Sequence, residues 1–238
     1  SIRSSVVKYS LALIFSIIFY RARIFYSVKS LNFVKNLFLI LPIIFLTLGS
    51  LGFFNIFKLD SYITQDFISR FETTERIEKA GRLTADTRTD LYNEVILSSI
   101  QNKYILFGRT FARGNDSSLY GDYLAKELRT KKRERFKNEV SILNIFTWTG
   151  LVGVILYFLI FYKASYVAIN KSNNFYIKII GIYVSFRWAY AWVEDFTNVD
   201  ISNVILWLMI AMCFSTEFRN MTNTEIKKWV HGLSLIHI

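Results

Sequence analysis

The sequence predicts an all-α, polytopic membrane protein with about five transmembrane helices and a large, mainly helical extracytoplasmic loop. Three observations carry that prediction. Of the 238 residues 53% are hydrophobic, and they gather into uninterrupted blocks that raise the mean hydropathy to +0.30. Proline occurs once while aromatics reach 17%, with Phe far ahead, which suits lipid-facing helices joined by few punctuated loops. The charges of the short loops alternate in sign along the chain.

Hydrocarbon about 30 Å thick asks for about 20 apolar residues in each helix. The blocks at 6–20, 37–57, 142–162, 177–193 and 201–214 are read as the five spans. Pro42, Gly49 and Gly52 fall in the second, where neighbouring helices re-satisfy the backbone groups they free. Arg21, Arg23, Lys29 and Lys35 lie between the first two spans with no acid among them. Lys163, Lys171 and Lys178 separate the third from the fourth, and Arg219, Lys227 and Lys228 follow the fifth. Between the fourth and fifth stand Glu194, Asp195 and Asp200 without a base. Basic loops stay on the cytoplasmic side, so residues 58–141 are expected outside. The formal charge of +11 then orients the chain and meets anionic lipid. No nucleic acid is needed to explain it, since no basic helix stands free of the membrane.

The chain divides accordingly. Residues 1–57 hold two spans and a basic loop, 58–141 the external loop, 142–216 three further spans, and 217–232 a cytoplasmic tail. Residues 233–238 read like one frame of a sequencing adapter, so they are expected not to be native, His237 included. Ser1 in place of Met, with no signal-peptide design behind it, leads us to expect further chain upstream.

The external loop lacks proline and carries helical signatures. Residues 62–80 predict an amphipathic helix, with Ile63, Phe67, Phe71 and Ile77 near one stripe. A second helix is expected from Thr87 or Thr89 to about Asn102, apolar along Leu91, Tyr92, Val95, Ile96 and Ile100. A strand-like turn follows at 104–108, then a loop rich in Gly, Asp, Asn and Ser. Residues 119–135 are strongly charged, with Lys131, Lys132 and Arg133 before Glu134 and Arg135. Such a run suits a solvated helix face, or alternatively a seat for an anionic headgroup. Cys213, the single cysteine, lies in an apolar run and is read as a small hydrophobe, which excludes an internal disulfide. No phosphate loop, zinc-protease motif, Cys/His cluster or calcium loop occurs, so neither metal nor cofactor is expected.

Arg187 stands out on physical grounds alone. It falls inside the fourth apolar block, where a charge is costly unless it is paired or faces water. Glu194, seven residues on, is a candidate partner on the same helical face. Snorkelling to the interface is the plainer alternative. Glu194 and Asp195 suit either a carboxylate pair for acid–base work or an ordinary solvated loop. Trp188, Trp192 and Trp207 are read as an interfacial belt in preference to sugar-stacking platforms.

Four stretches then fall in a telling order. Thr87-Arg88-Thr89-Asp90-Leu91-Tyr92-Asn93-Glu94 sets an arginine four residues before an aromatic. Leu106-Phe107-Gly108-Arg109 follows about twenty residues later as a glycine turn. Asn138-Glu139 precedes Gly150-Leu151-Val152-Gly153 within a span, and Trp192-Val193-Glu194-Asp195-Phe196 caps the penultimate helix. Together they resemble the O-antigen polymerase and O-antigen ligase superfamily of bacterial surface-polysaccharide enzymes, from Arg88 to about Met221.

The resemblance implies metal-independent glycosyl transfer at the outer face of the bacterial plasma membrane, with no cofactor. An undecaprenyl-diphosphate-linked oligosaccharide would be the donor, and the hydroxyl of another lipid-linked repeat unit the acceptor. Membrane lipids, a chain-length regulator and a flippase are the implied partners. Arg88 and Arg187 are expected to act as catalytic cations on the departing diphosphate, because a guanidinium binds phosphate bidentately and keeps its charge. Glu139 is the expected base, at the mouth of the third span, where partial desolvation would strengthen it. Arg109, Arg113, Glu194 and Asp195 are the expected substrate-binding residues. Ligase-type members place a histidine where Glu139 stands, so the departure favours a polymerase. Each residue has a plainer reading: Arg88 suits a helix pair with Asp86 or Asp90, Arg109 and Arg113 suit exposed loop positions, and Glu139 suits a surface ion pair. Transfer of glycan to a lipid or protein acceptor, a transporter of lipid-linked glycans, and a non-catalytic assembly protein are the competing functions.

Overall fold

The computed structural model describes residues 27–51, 88–118, 121–127, 129 and 132–235. These are mostly helical. In chain order the elements are α1 (Val28–Ser50), α2 (Arg88–Gln101), β1 (Asn115–Asp116), α3 (Gly121–Glu127), β2 (Glu134–Arg135), α4 (Ser141–Asn170), α5 (Phe175–Tyr190), α6 (Ile201–Phe214), α7 (Thr216–Asn220) and α8 (Asn223–Leu235). Among the described residues two helices are long and apolar enough to cross a membrane, Val28–Gly49 and Ser141–Asn170. α6 is equally apolar, but its 14 residues are fewer than a span needs. At 1.5 Å per residue it reaches about 21 Å, and α5 about 24 Å, both short of the hydrocarbon thickness. The expected span at 6–20 and the expected helix at 62–80 lie outside the described residues.

The chain forms two compact units. A helical unit takes Ser1–Ile40, Glu139–Ile142 and Val154–Ile238, and a loop unit takes Leu41–Asn138 and Leu143–Gly153. In the helical unit Leu31, Ile169 and Ile182 form a buried core, with Val34 and Phe38 packed against it. Gly181 lets α5 approach α4 closely, since a Cβ there would press on Ala168, the small-residue contact that membrane helices favour. Asn32 and Asn170 exchange amide hydrogen bonds at 2.8 and 3.1 Å. Asn174 caps α5 by accepting from the Ile177 amide, while its own amide donates to the Phe218 and Met221 carbonyls. Asp200 caps α6 through the Asn203 amide, and Thr222 with Glu225 forms a reciprocal capping box on α8.

The helix bounds correct several expectations. α1 begins well before position 37, so Lys29 and Lys35 lie on the helix and not in a basic loop. Lys35 is 3% exposed, its ammonium 5.4 and 5.3 Å from the Tyr162 and Tyr166 rings. Aromatic faces and a buried stem let the helix carry the charge inward. Trp188, expected in an interfacial belt, is buried against Tyr157, Phe158 and Phe161, and its indole N–H donates to the Leu39 carbonyl.

In the loop unit α2 starts at Arg88, as expected, and buries Leu91 and Val95 of the expected face, but the face is rotated toward the serines. Leu91, Val95, Ser98 and Ser99 are inside, whereas Ile96 and Ile100 are about half exposed. The serines face in because they are used: Ser98 Oγ accepts from the Tyr104 hydroxyl and the Asp116 amide. The 104–108 segment is a turn with no strand, and the only pairing among the described residues joins β1 to β2 antiparallel. The charged run at 119–135 is not one solvated helix. Its helix covers only Gly121–Glu127, and Glu134 is a buried residue of β2.

Candidate functional site

α4 breaks at Gly150, whose φ of 66° and ψ of −166° belong to a region essentially reserved for glycine. The break frees backbone groups, and the turn after α2 takes them up. Arg109 and Thr110 donate to the Thr147 and Trp148 carbonyls, while the Leu151 and Val152 amides donate to the Ile105 and Leu106 carbonyls. Gly108, at φ 72°, sits against the Trp148–Thr149 backbone where any Cβ would clash, and Gly150 sits likewise against Leu106 and Phe107. Two of the four sequence stretches, the glycine turn and the glycine pair, are thereby one interlocked piece. Asn138 joins the same unit: its amide N–H donates to Asn144 Oδ1, and its side chain to Asn115 Oδ1.

The arginines of this turn are committed. Arg109 donates to Asp116 at 2.8 Å, to the Gly114 carbonyl at 2.9 Å and to Asn102 at 3.1 Å. Arg113 grips the buried Glu134 carboxylate with both Nε and Nη2. Burial pushes the Asp116 and Glu134 carboxyls up, but the hydrogen bonds and charges of these arginines outweigh it and hold both below the ordinary carboxylate range. Both arginines line a groove of about 640 Å³ with Ile100, Tyr104 and Phe107, yet their charge is answered inside the fold. Arg88 is the first residue of α2.

The helical unit holds the other candidates. α5 ends at Tyr190, so Glu194 lies beyond the helix and the seven-residue register with Arg187 is lost. The two form no ion pair among the described residues. Arg187 instead stacks on the Phe196 ring, 4.0 Å from guanidinium carbon to centroid. Its Nε and Nη2 are buried with no hydrogen-bond acceptor among the described residues. Phe196 is positioned by Ser141, whose hydroxyl accepts from the Phe196 amide and donates to the Glu194 carbonyl. Asp195 accepts from the Thr197 amide and hydroxyl and lies 3.4 Å from Ser141 Oγ. Tyr157 on α4 feels the charges of both Arg187 and Asp195. Glu139 is exposed, one residue ahead of Val140, the N-cap of α4.

What this arrangement can do chemically is bind an anion. A guanidinium with two buried, unanswered nitrogens, backed by a ring, favours a ligand carrying paired oxygens. Among the described residues no group of three or more His, Cys, Asp or Glu side chains gathers as a metal set. Sequence reasoning found Arg187 and quoted Phe196 only as the end of a motif, and it missed Tyr157 and Ser141, which have no local signature. No family model, curated protein or solved structure matches the chain.

Proposed function

We propose that the chain, crossing the bacterial plasma membrane with about five spans, acts in an enzyme that polymerises undecaprenyl-diphosphate-linked repeat units into surface polysaccharide. The observation that carries this reading is Arg187: a half-buried arginine in an apolar helix, two of whose guanidinium nitrogens are buried with no protein acceptor among the described residues. A folded chain retains so costly a charge where it meets a ligand of opposite sign. The acidic segment between α5 and α6, set against Lys171 before α5 and Arg219, Lys227 and Lys228 after α6, supports the topology, and the four motifs support the family.

In the proposed reaction the acceptor hydroxyl oxygen forms a bond to the anomeric carbon of the donor glycan, and the bond from that carbon to the diphosphate breaks. Glu139 takes the hydroxyl proton, and the diphosphate leaves with its negative charge held by Arg187. Asp195 and Glu194 orient the sugar. Arg109 and Arg113 fix the turn of the loop unit, their own charge being answered by Asp116 and Glu134.

The break in α4 favours one competitor, since transporters build substrate sites from discontinuous helices. One experiment separates the two. A host lacking its own polymerase is given the full-length gene with or without Arg187→Ala, and surface glycan length is read. The polymerase reading expects a ladder from the wild type and single repeat units from the variant. A variant that displays no glycan at all points to transport, and one that still makes the full ladder removes Arg187 from the site.

A further inference from the structure

Ile105, Leu106, Phe107 and Phe111 form an apolar ridge on the loop unit, 41, 57, 75 and 72% exposed. Large apolar side chains gathered this way on a polar loop call for a covering. We propose that this turn is a wedge seated among the acyl chains of the bilayer leaflet next to the loop. The proposal rests on reading α4 as a membrane span.

The argument is one of attachment. The Ile105 and Leu106 carbonyls accept the amides of Leu151 and Val152 at 2.8 and 3.2 Å, and both residues lie within the apolar run of α4. Whatever depth Leu151 and Val152 occupy, the ridge lies within a hydrogen bond's length of it. The bonds pair the Ile105 and Leu106 carbonyls inside the protein, which is what lipid asks of non-helical backbone at membrane depth. Phe111 packs on Trp148, ring centroids 5.1 Å apart, so the tip of the turn leans on the same helix. The charges agree. Arg109 and Arg113 beside the ridge are neutralised by Asp116 and Glu134, which leaves exposed Lys103 to reach a lipid headgroup while the ridge sits below it.

The test uses the full chain in a Cys213→Ala background, reconstituted in phosphatidylcholine–phosphatidylglycerol vesicles. An environment-sensitive fluorophore is placed on Phe107→Cys, on Leu156→Cys in the apolar run of α4, or on Lys132→Cys. Acyl-brominated lipid is expected to quench the label at 107 as strongly as at 156, and to leave 132 bright. Quenching at 156 but not at 107 overturns the wedge and leaves the span intact. A label at 107 that is blue-shifted yet unquenched also overturns it, since a second copy or another protein then covers the ridge. Equal quenching at 107 and 132 overturns it too, because the ridge is then no special wedge. If 156 itself stays bright, α4 is no span, and the functional reading falls with the wedge.

Discussion

Arg113 and Arg187 meet the same physical problem with opposite solutions. Arg113 is 39% exposed and holds both oxygens of a carboxylate that is itself 4% exposed. Arg187 has two buried nitrogens with no acceptor among the described residues and a phenyl ring at its face. A bidentate arginine–carboxylate pair completes itself, so it ties β2 to the turn and has little left for a ligand. An arginine that rests on a ring while two of its nitrogens go unanswered among the described residues is a poor structural element, because their desolvation is not repaid by the fold. On the proposed reading, the difference separates an arginine that builds the loop unit from one left open to a ligand.

Arg187→Leu breaks that comparison most sharply. Under the proposed function, removing a cation from the departing diphosphate costs polymerisation about 10²–10³-fold, by analogy with the loss of one preorganised donor. Stability should move the other way or not at all, since an apolar side chain replaces an unanswered charge. Polymer length in cells and thermal unfolding in detergent check the two halves. Arg187→Lys should rescue little, because an ammonium lacks the planar fork. An Arg187→Leu protein that unfolds early would place Arg187 with Arg113 as a structural residue.

Gly150→Ala should cost the loop unit about 3 kcal/mol or more, from a glycine-only backbone region compounded by a clash with the Leu106 and Phe107 backbone. Limited proteolysis between Arg109 and Thr147 reads the loss. Wild-type resistance in this variant would mean that the break in α4 tolerates a side chain and that the interlock is weaker than its hydrogen bonds suggest.

Arg113→Ala comes next. It strands the Glu134 carboxylate inside the loop unit, at about 2–3 kcal/mol, below the 3–5 of a fully buried pair because solvent reaches Arg113. Glu134→Gln in the same background should recover part of the loss, as no charge is then left stranded. Thermal unfolding of the single and double variants gives the coupling.

These residues also mark how far the sequence could be read. α6 was legible to the residue, since Asp200 caps an unbroken apolar block that ends at Ser215. Arg187 was legible because a charge in such a block has few explanations. Its ring partner was not, since Phe196 comes into reach only once α5 stops at Tyr190. The break at Gly150 was equally hidden, because a glycine in an apolar run reads the same whether the helix continues or opens. What opens it is a turn more than forty positions earlier. Glu134 was misread for a related reason: within Lys131 to Arg135 it looks solvated, and the groups that offset its burial, Arg113 and the Gly114 amide, lie about 20 positions away.

The smallest effect is expected near neutral pH, and its sign follows from the depressed carboxyls of the turn. Groups held below their unfolded values contribute stability that is complete above the unfolded pKa of about 4. That stability is lost as pH falls through the lower folded values. Asp116 and Glu134 should therefore leave the loop unit unchanged from pH 7 to 5 and loosen it only in stronger acid. Hydrogen exchange at the Gly114 amide, which donates to Glu134 Oε2, reports the pair directly. Its protection should hold flat across that window and fall below it, while in Glu134→Gln the acid-dependent fall should shrink. Loosening that began at pH 6 would mean that Arg113 does not hold Glu134 charged, and the contrast with Arg187 would lose its structural half.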